Sequence, residues 1–79
     1  MCIVNTSAIV EHDCMIGDFS HIAVGAVVCG MSHIGSNTLI GANSSIIQCI
    51  NVGNNVKVGA GAIILKDISN CSTVYGIWK

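Results

Sequence analysis

The 79-residue chain contains no proline, and aromatic residues amount to only 4%. Charge is also scarce: 9% of residues are charged, against about a quarter in ordinary soluble domains. Low charge beside a hydrophobic content of 52% excludes a disordered segment, which needs high charge and few branched apolar residues. With three Lys and Arg residues and a net charge of −1 there is no basic surface to neutralise phosphates. Nucleic acid and anionic membrane are therefore poor partners. Mean hydropathy is +0.74, yet no stretch long enough to cross a bilayer as a helix is free of polar groups, so no transmembrane helix is expected. The start, Met1-Cys2-Ile3-Val4-Asn5, has neither the basic region nor the apolar run of a signal peptide, and a cytoplasmic location is the expectation. The five cysteines, Cys2, Cys14, Cys29, Cys49 and Cys71, are odd in number, and no two are spaced as CxxC. Reduced, mostly packed thiols are expected rather than a disulfide scaffold or a zinc site.

What the chain does have is a repeat. Val4, Val10, Ile16, Ile22, Val28, Ile34, Ile40, Ile46, Val52, Val58 and Ile64 follow one another at intervals of six, and Asn70 ends the series. If Ile and Val filled about a quarter of positions, eleven matches in a row would arise by chance less than roughly once in a million. The following residue is often glycine: Gly17, Gly35, Gly41, Gly53 and Gly59. Four places after the branched residue the side chain is mostly small, as at Ala8, Cys14, Ser20, Ala26, Ser32, Thr38 and Ser44. A helix needs a spacing near 3.6 and an ordinary strand needs alternation, so a period of six fits neither. It fits short strands joined by tight corners and stacked in parallel coils. The branched and the small residues then point inward. Glycine after the branched residue is expected to supply the backbone angles of a corner.

This pattern resembles the hexapeptide-repeat acyltransferases, over residues 3–69. The resemblance implies an all-β fold, a single-stranded left-handed parallel β-helix in which three hexapeptides make one triangular coil. Between three and four coils are expected, with a β-helix domain over 1–69 and a C-terminal tail over 70–79. Such a prism has two bare ends, and stacked repeats need caps there. A homo-oligomer is expected, and the resemblance makes it a trimer.

With three hexapeptides per coil, His12, Gly30, Gln48 and Lys66 share one line, and Val24, Ala42 and Ala60 another. These positions lie at corners, so His12 belongs on the surface. An imidazole can take a proton from an amine or hydroxyl, and a flanking carboxylate can fix its tautomer. Glu11 and Asp13 both flank it. On periodicity alone His12 is a solvated turn residue.

The run Asn5-Thr6-Ser7-Ala8-Ile9-Val10-Glu11-His12-Asp13-Cys14 looks like that of the PglD/NeuD-type sugar acetyltransferases. The resemblance implies that His12 is the catalytic base, with Asp13 as its orienting partner, and that His21 contacts acetyl-CoA. It also places Ala42 and Ala60 at cofactor contacts, where a thin pantetheine arm lies against small residues between subunits. Cys14 falls on the small inward series and is not expected to act as a nucleophile. His33 matches nothing and reads as a surface residue. Histidine spacings of 9 and 12 are not whole coils, so no two histidines stack and no metal is expected. Gly59-Ala60-Gly61-Ala62 is hexapeptide spacing rather than a phosphate loop.

The family closes with a Val-x-Gly-x-Pro-Ala-Lys tail. Here Val74 and Gly76 match, while Trp78 interrupts the pattern; a frayed terminus is the expectation. The reading is an acetyl-CoA-dependent O- or N-acetyltransferase acting on a sugar or sugar-nucleotide acceptor. Relatives of this type carry an N-terminal sugar-nucleotide-binding domain that the given sequence lacks, so the expectation is either a fragment of a larger enzyme or an acceptor bound by other means. A non-catalytic trimeric β-helical scaffold is the alternative.

Overall fold

A computed structural model describes residues 3–79. Among these residues are thirteen two-residue strands and no helix. They are β1 (Ile3–Val4), β2 (Ile9–Val10), β3 (Met15–Ile16), β4 (His21–Ile22), β5 (Val27–Val28), β6 (His33–Ile34) and β7 (Leu39–Ile40). The series continues with β8 (Ser45–Ile46), β9 (Asn51–Val52), β10 (Lys57–Val58), β11 (Ile63–Ile64), β12 (Thr73–Val74) and β13 (Ile77–Trp78). Every third strand stacks in parallel on the same face. The first face is β1-β4-β7-β10-β12, the second β2-β5-β8-β11-β13, and the third β3-β6-β9. The result is a left-handed β-helix of about four turns, with one hexapeptide to a side and three to a coil. Partners such as Ile3 and His21, or Ile22 and Ile40, are accordingly 18 apart.

The branched series fills the prism. Ile22, Val28, Ile40, Ile46 and Ile64 have no solvent exposure at all. The small series fills the gaps between them, and its hydroxyls also link coils. Ser20 Oγ donates to the Gly35 carbonyl at 2.6 Å and accepts the Thr38 N–H at 3.0 Å. Ser32 and Thr38 make the same paired contacts with their own neighbouring coils. A buried hydroxyl is costly only when unpaired, and none of the buried side-chain polar atoms described lacks a partner.

The corners work differently from the expectation. The left-handed backbone falls three residues after the branched one, at Ser7, Asp13, Phe19, Met31, Asn37, Asn43, Cys49, Asn55 and Cys71, with φ between 55° and 61°. That angle turns the amide toward the preceding coil, so that Met31 N–H reaches the His12 carbonyl at 3.1 Å and Asn55 N–H the Ser36 carbonyl at 2.9 Å. The glycines directly after the branched residues serve a different need. A Cβ on Gly17 would lie 2.6 Å from the Gly35 carbonyl carbon, and one on Gly41 would lie 2.5 Å from the Val58 carbonyl oxygen. These glycines permit close approach of stacked backbones and supply no unusual angle.

Two further expectations are corrected. The thiols are less packed than the composition suggested. Cys14 and Cys29 are half-buried, whereas Cys49 and Cys71 are exposed because they occupy the left-handed corner position, which points outward. Cys2 lies outside the described residues. The C-terminal stretch is part of the prism rather than frayed. β12 pairs with β10 at an offset of 16, and β13 pairs with β11 at an offset of 14. Val74 is buried, and Trp78 packs against the core with its indole N–H donating to the Asp67 carbonyl at 3.1 Å. The six-residue rhythm is lost there because the chain cuts two corners short, while the stacking persists.

Candidate active site

Each turn places its third hexapeptide residue at a corner, and this is what exposes His12, between the second and third faces. Its Nδ1 lies 3.3 Å from Asp13 Oδ2, with the side chains 74% and 80% exposed. At that exposure the pair is screened and adds little stability. Its consequence is orientation: with Nδ1–H donated to the carboxylate, Nε2 carries the free lone pair. The left-handed backbone of Asp13 swings its carboxylate back alongside the ring, and Asp is among the residues that tolerate that angle.

Gly30 stacks on His12 one coil further on. A Cβ there would lie 3.0 Å from Nε2 and 3.1 Å from Cε1. Any larger residue would therefore press on that nitrogen. Around His12 and Gly30 the side chains of Glu11, Cys29, Met31, Gln48 and Cys49 complete a cleft of about 350 Å³. Cys14 points inward, its thiol donating to the Cys29 carbonyl at 3.1 Å, and takes no part. His33 is exposed on the third face.

Ala42 and Ala60 stack on one another at a different corner, between the first and second faces, where Gly61 N–H donates to the Ala42 carbonyl at 2.7 Å. They lie in a groove of about 330 Å³ with Ala23, Gly41 and Gly59, flanked by Leu39, Lys57 and Tyr75. The scarcity of long side chains along this groove suits a thin chain that needs access to backbone N–H and C=O groups. Tyr75 rests its ring where Gly59 lacks a Cβ. His21 stands on the first face in register with Leu39, one coil from the groove, and its Nε2 lies 3.3 Å from Asn5 Nδ2.

The structure thus brings Ala42 and Ala60 together and pairs His12 with Asp13, but puts the two groups on separate corners of one prism. Between them lies the second face, whose outward residues include Ile9, Ile47, Ile63, Leu65 and Ile77, from 38% to 61% exposed. Lys57 and Tyr75 were not singled out from the sequence. Lys57 was within reach, standing 18 after Leu39 and 36 after His21. Tyr75 was not, because its coil is two residues short. Among the described residues no three His, Cys, Asp or Glu side chains gather as a metal site would require.

The parallel β-helix of stacked hexapeptides can be set beside known proteins. Residues 33–66 match the hexapeptide repeat of succinyl-transferase. Solved structures agree over nearly the whole chain. The acetyltransferase domain of PglB from Neisseria gonorrhoeae, in complex with acetyl coenzyme A, is 30% identical with a TM-score of 0.82, covering 95% of this chain and 51% of that one. A serine acetyltransferase in complex with CoA gives a TM-score of 0.88 at 24% identity, covering 95% of this chain and 34% of that one. Perosamine N-acetyltransferase from Caulobacter crescentus, in complex with CoA and GDP-perosamine, gives 0.64 at 20% identity, covering 95% of this chain and 50% of that one. The chain thus spans about a third to a half of the proteins it matches. It is a hexapeptide-repeat left-handed β-helix similar to the sugar acetyltransferases of this type.

Proposed function

We propose that this chain is the β-helical part of an acetyl-CoA-dependent acyltransferase, transferring an acetyl group to an amine or hydroxyl of a sugar or sugar nucleotide. The observation that carries this reading is the His12–Asp13 pair, with Nε2 turned outward over Gly30. Nε2 accepts the proton of the acceptor N–H or O–H as that atom attacks the thioester carbonyl. The Gly30 N–H lies in the same cleft, makes no backbone hydrogen bond among the described residues, and is the donor available to the developing oxyanion. When the tetrahedral intermediate collapses, the C–S bond breaks and the imidazolium returns its proton to the departing thiolate. Asp13 holds the ring in the tautomer this requires and stabilises it while charged. The Ala42–Ala60 groove has the shape for the pantetheine arm, with His21 beside it and Lys57 the nearest cation.

A site that uses both corners takes them from neighbouring copies. The apolar second face between the corners supports a trimer in which His12 of one copy faces the groove of the next. The unpaired thiols fit a reducing, cytoplasmic setting. The test is acetyl transfer by the chain with and without His12. His12→Asn should lower kcat about 10²–10⁴-fold with coenzyme affinity unchanged. If wild-type protein binds no acetyl-CoA by calorimetry and transfers nothing, the scaffold reading replaces this one.

A further inference from the structure

The lining of the His12 cleft carries more than the base. Val10, Val28 and Ile46 are in register on the second face, so the residues two places on, His12, Gly30 and Gln48, follow one another along one corner. The corner amides hold that stack: Met31 N–H donates to the His12 carbonyl and Cys49 N–H to the Gly30 carbonyl, each at 3.1 Å. Because Gly30 has no side chain, His12 and Gln48 stand at the two ends of one slot. They are two coils apart, which at about 4.8 Å per coil is about 10 Å. The next residue of the column, Lys66, is engaged elsewhere, its ammonium 5.0 Å from the centre of the Trp78 ring.

Gln48 is exposed, and its carboxamide makes no hydrogen bond among the described residues. It is the one side-chain amide in the cleft; Cys29, Met31 and Cys49 present weakly polar surface, and Glu11 a carboxylate. A carboxamide has two N–H donors and a carbonyl acceptor, which suits a group that itself both donates and accepts, as a hydroxyl does. The cations of the chain are Lys57, Lys66 and Lys79, and none of them lines the cleft. A carboxylate on the acceptor would therefore lose water without gaining a cation, and would stand beside the like charge of Glu11.

We infer that Gln48 is the acceptor-recognising residue of this site, holding a neutral hydroxyl next to the reacting amine or hydroxyl, and that the cleft takes polyhydroxylated acceptors and refuses those with a carboxylate there. The inference rests on the acyl-transfer reading and adds to it a specificity-determining residue and a rule: a sugar is taken and a free amino acid is not.

Gln48 is the only glutamine in the chain, so its side-chain amide signals in a nuclear magnetic resonance spectrum are identified by their loss in Gln48→Glu. The full chain is titrated separately with glucosamine, serinol and L-serine; the last two differ only in that a carboxylate replaces a hydroxymethyl group. Saturable movement of the Gln48 signals is expected with glucosamine and serinol, and none with L-serine at the same concentration. In acetyl transfer to glucosamine, Gln48→Ala should raise KM for the sugar about tenfold, with kcat and acetyl-CoA affinity little changed, a split that a merely structural role would not produce. Signals that stay fixed with glucosamine, or that answer acetyl-CoA alone, overturn the assignment of Gln48, and acetyl-CoA binding with transfer leaves the acyl-transfer reading standing. An equal response to L-serine and serinol overturns the rule against carboxylates. Signals that move with glucosamine in a protein that binds no acetyl-CoA would keep the sugar slot and remove acyl transfer.

Discussion

The two ends of the prism are built from the same hexapeptide and end differently. In the first coil no layer lies beneath the branched residues among those described: Val4 is 48% exposed, and Val10 and Ile16 are only half-buried. At the other end Ile64 is wholly buried and Val74 is 2% exposed, because the chain shortens its last turn and brings Trp78 against the core. Burial in this fold is therefore a property of the neighbouring coil more than of the residue. A repeat ends well by breaking its own register, which turns a side chain across the opening.

That contrast can be broken by mutation, and the largest effect should come from the middle. Ile40→Ala should cost about 3–4 kcal/mol, measured by chemical denaturation, whereas Val4→Ala should cost less than about 1 kcal/mol because it removes surface already wet. Equal losses would mean that the first coil is covered in solution. Next comes the spacing between coils. Gly41→Ala sets a Cβ 2.5 Å from the Val58 carbonyl oxygen and should cost about 2–3 kcal/mol. Gly61→Ala, at φ 70° with nothing within 4 Å, should cost about 1–2 kcal/mol from backbone strain alone. Trp78→Ala should cost about 1–2 kcal/mol and raise hydrogen exchange at Ile64 and Val74 while leaving Ile22 protected. The smallest effect is a gain: Phe19, 73% exposed with φ 61°, replaced by Asn should stabilise by about 0.5–1 kcal/mol, since Asn tolerates that angle.

The same contrast explains what could be read in advance. The stacked coils and their inward residues follow from a period of six, which places eleven Ile and Val residues on one interior, while the coil length of three hexapeptides came from the family resemblance. His12 and Asp13 were legible as a corner pair with matching neighbours in the chain. The reason for the glycines was not, because a period shows where a small residue recurs and not whether the angle or the neighbouring carbonyl demands it. Nor were Cys49, Met31 and Phe19 legible as left-handed corners, since regular stacking imposes that angle on residues that do not favour it. Tyr75 and the Trp78 step lie where offsets fall from 18 to 16 and then 14, and a reading based on a constant period loses its place there. That His12 and the Ala42–Ala60 groove occupy different corners was legible, because they fall on different lines of the coil; the clefts around them were not.

Whether those two corners meet across neighbouring copies can be measured by complementation. His12→Asn removes the base, and Ala60→Trp, at an exposed corner, blocks the groove; each variant alone should be nearly inactive. Refolded together in equal amounts, they should recover about a quarter of wild-type acetyl transfer, because a quarter of the contacts in a randomly assembled trimer pair an intact His12 with an intact groove. No recovery from two variants that each fold and associate would contradict a site shared between subunits.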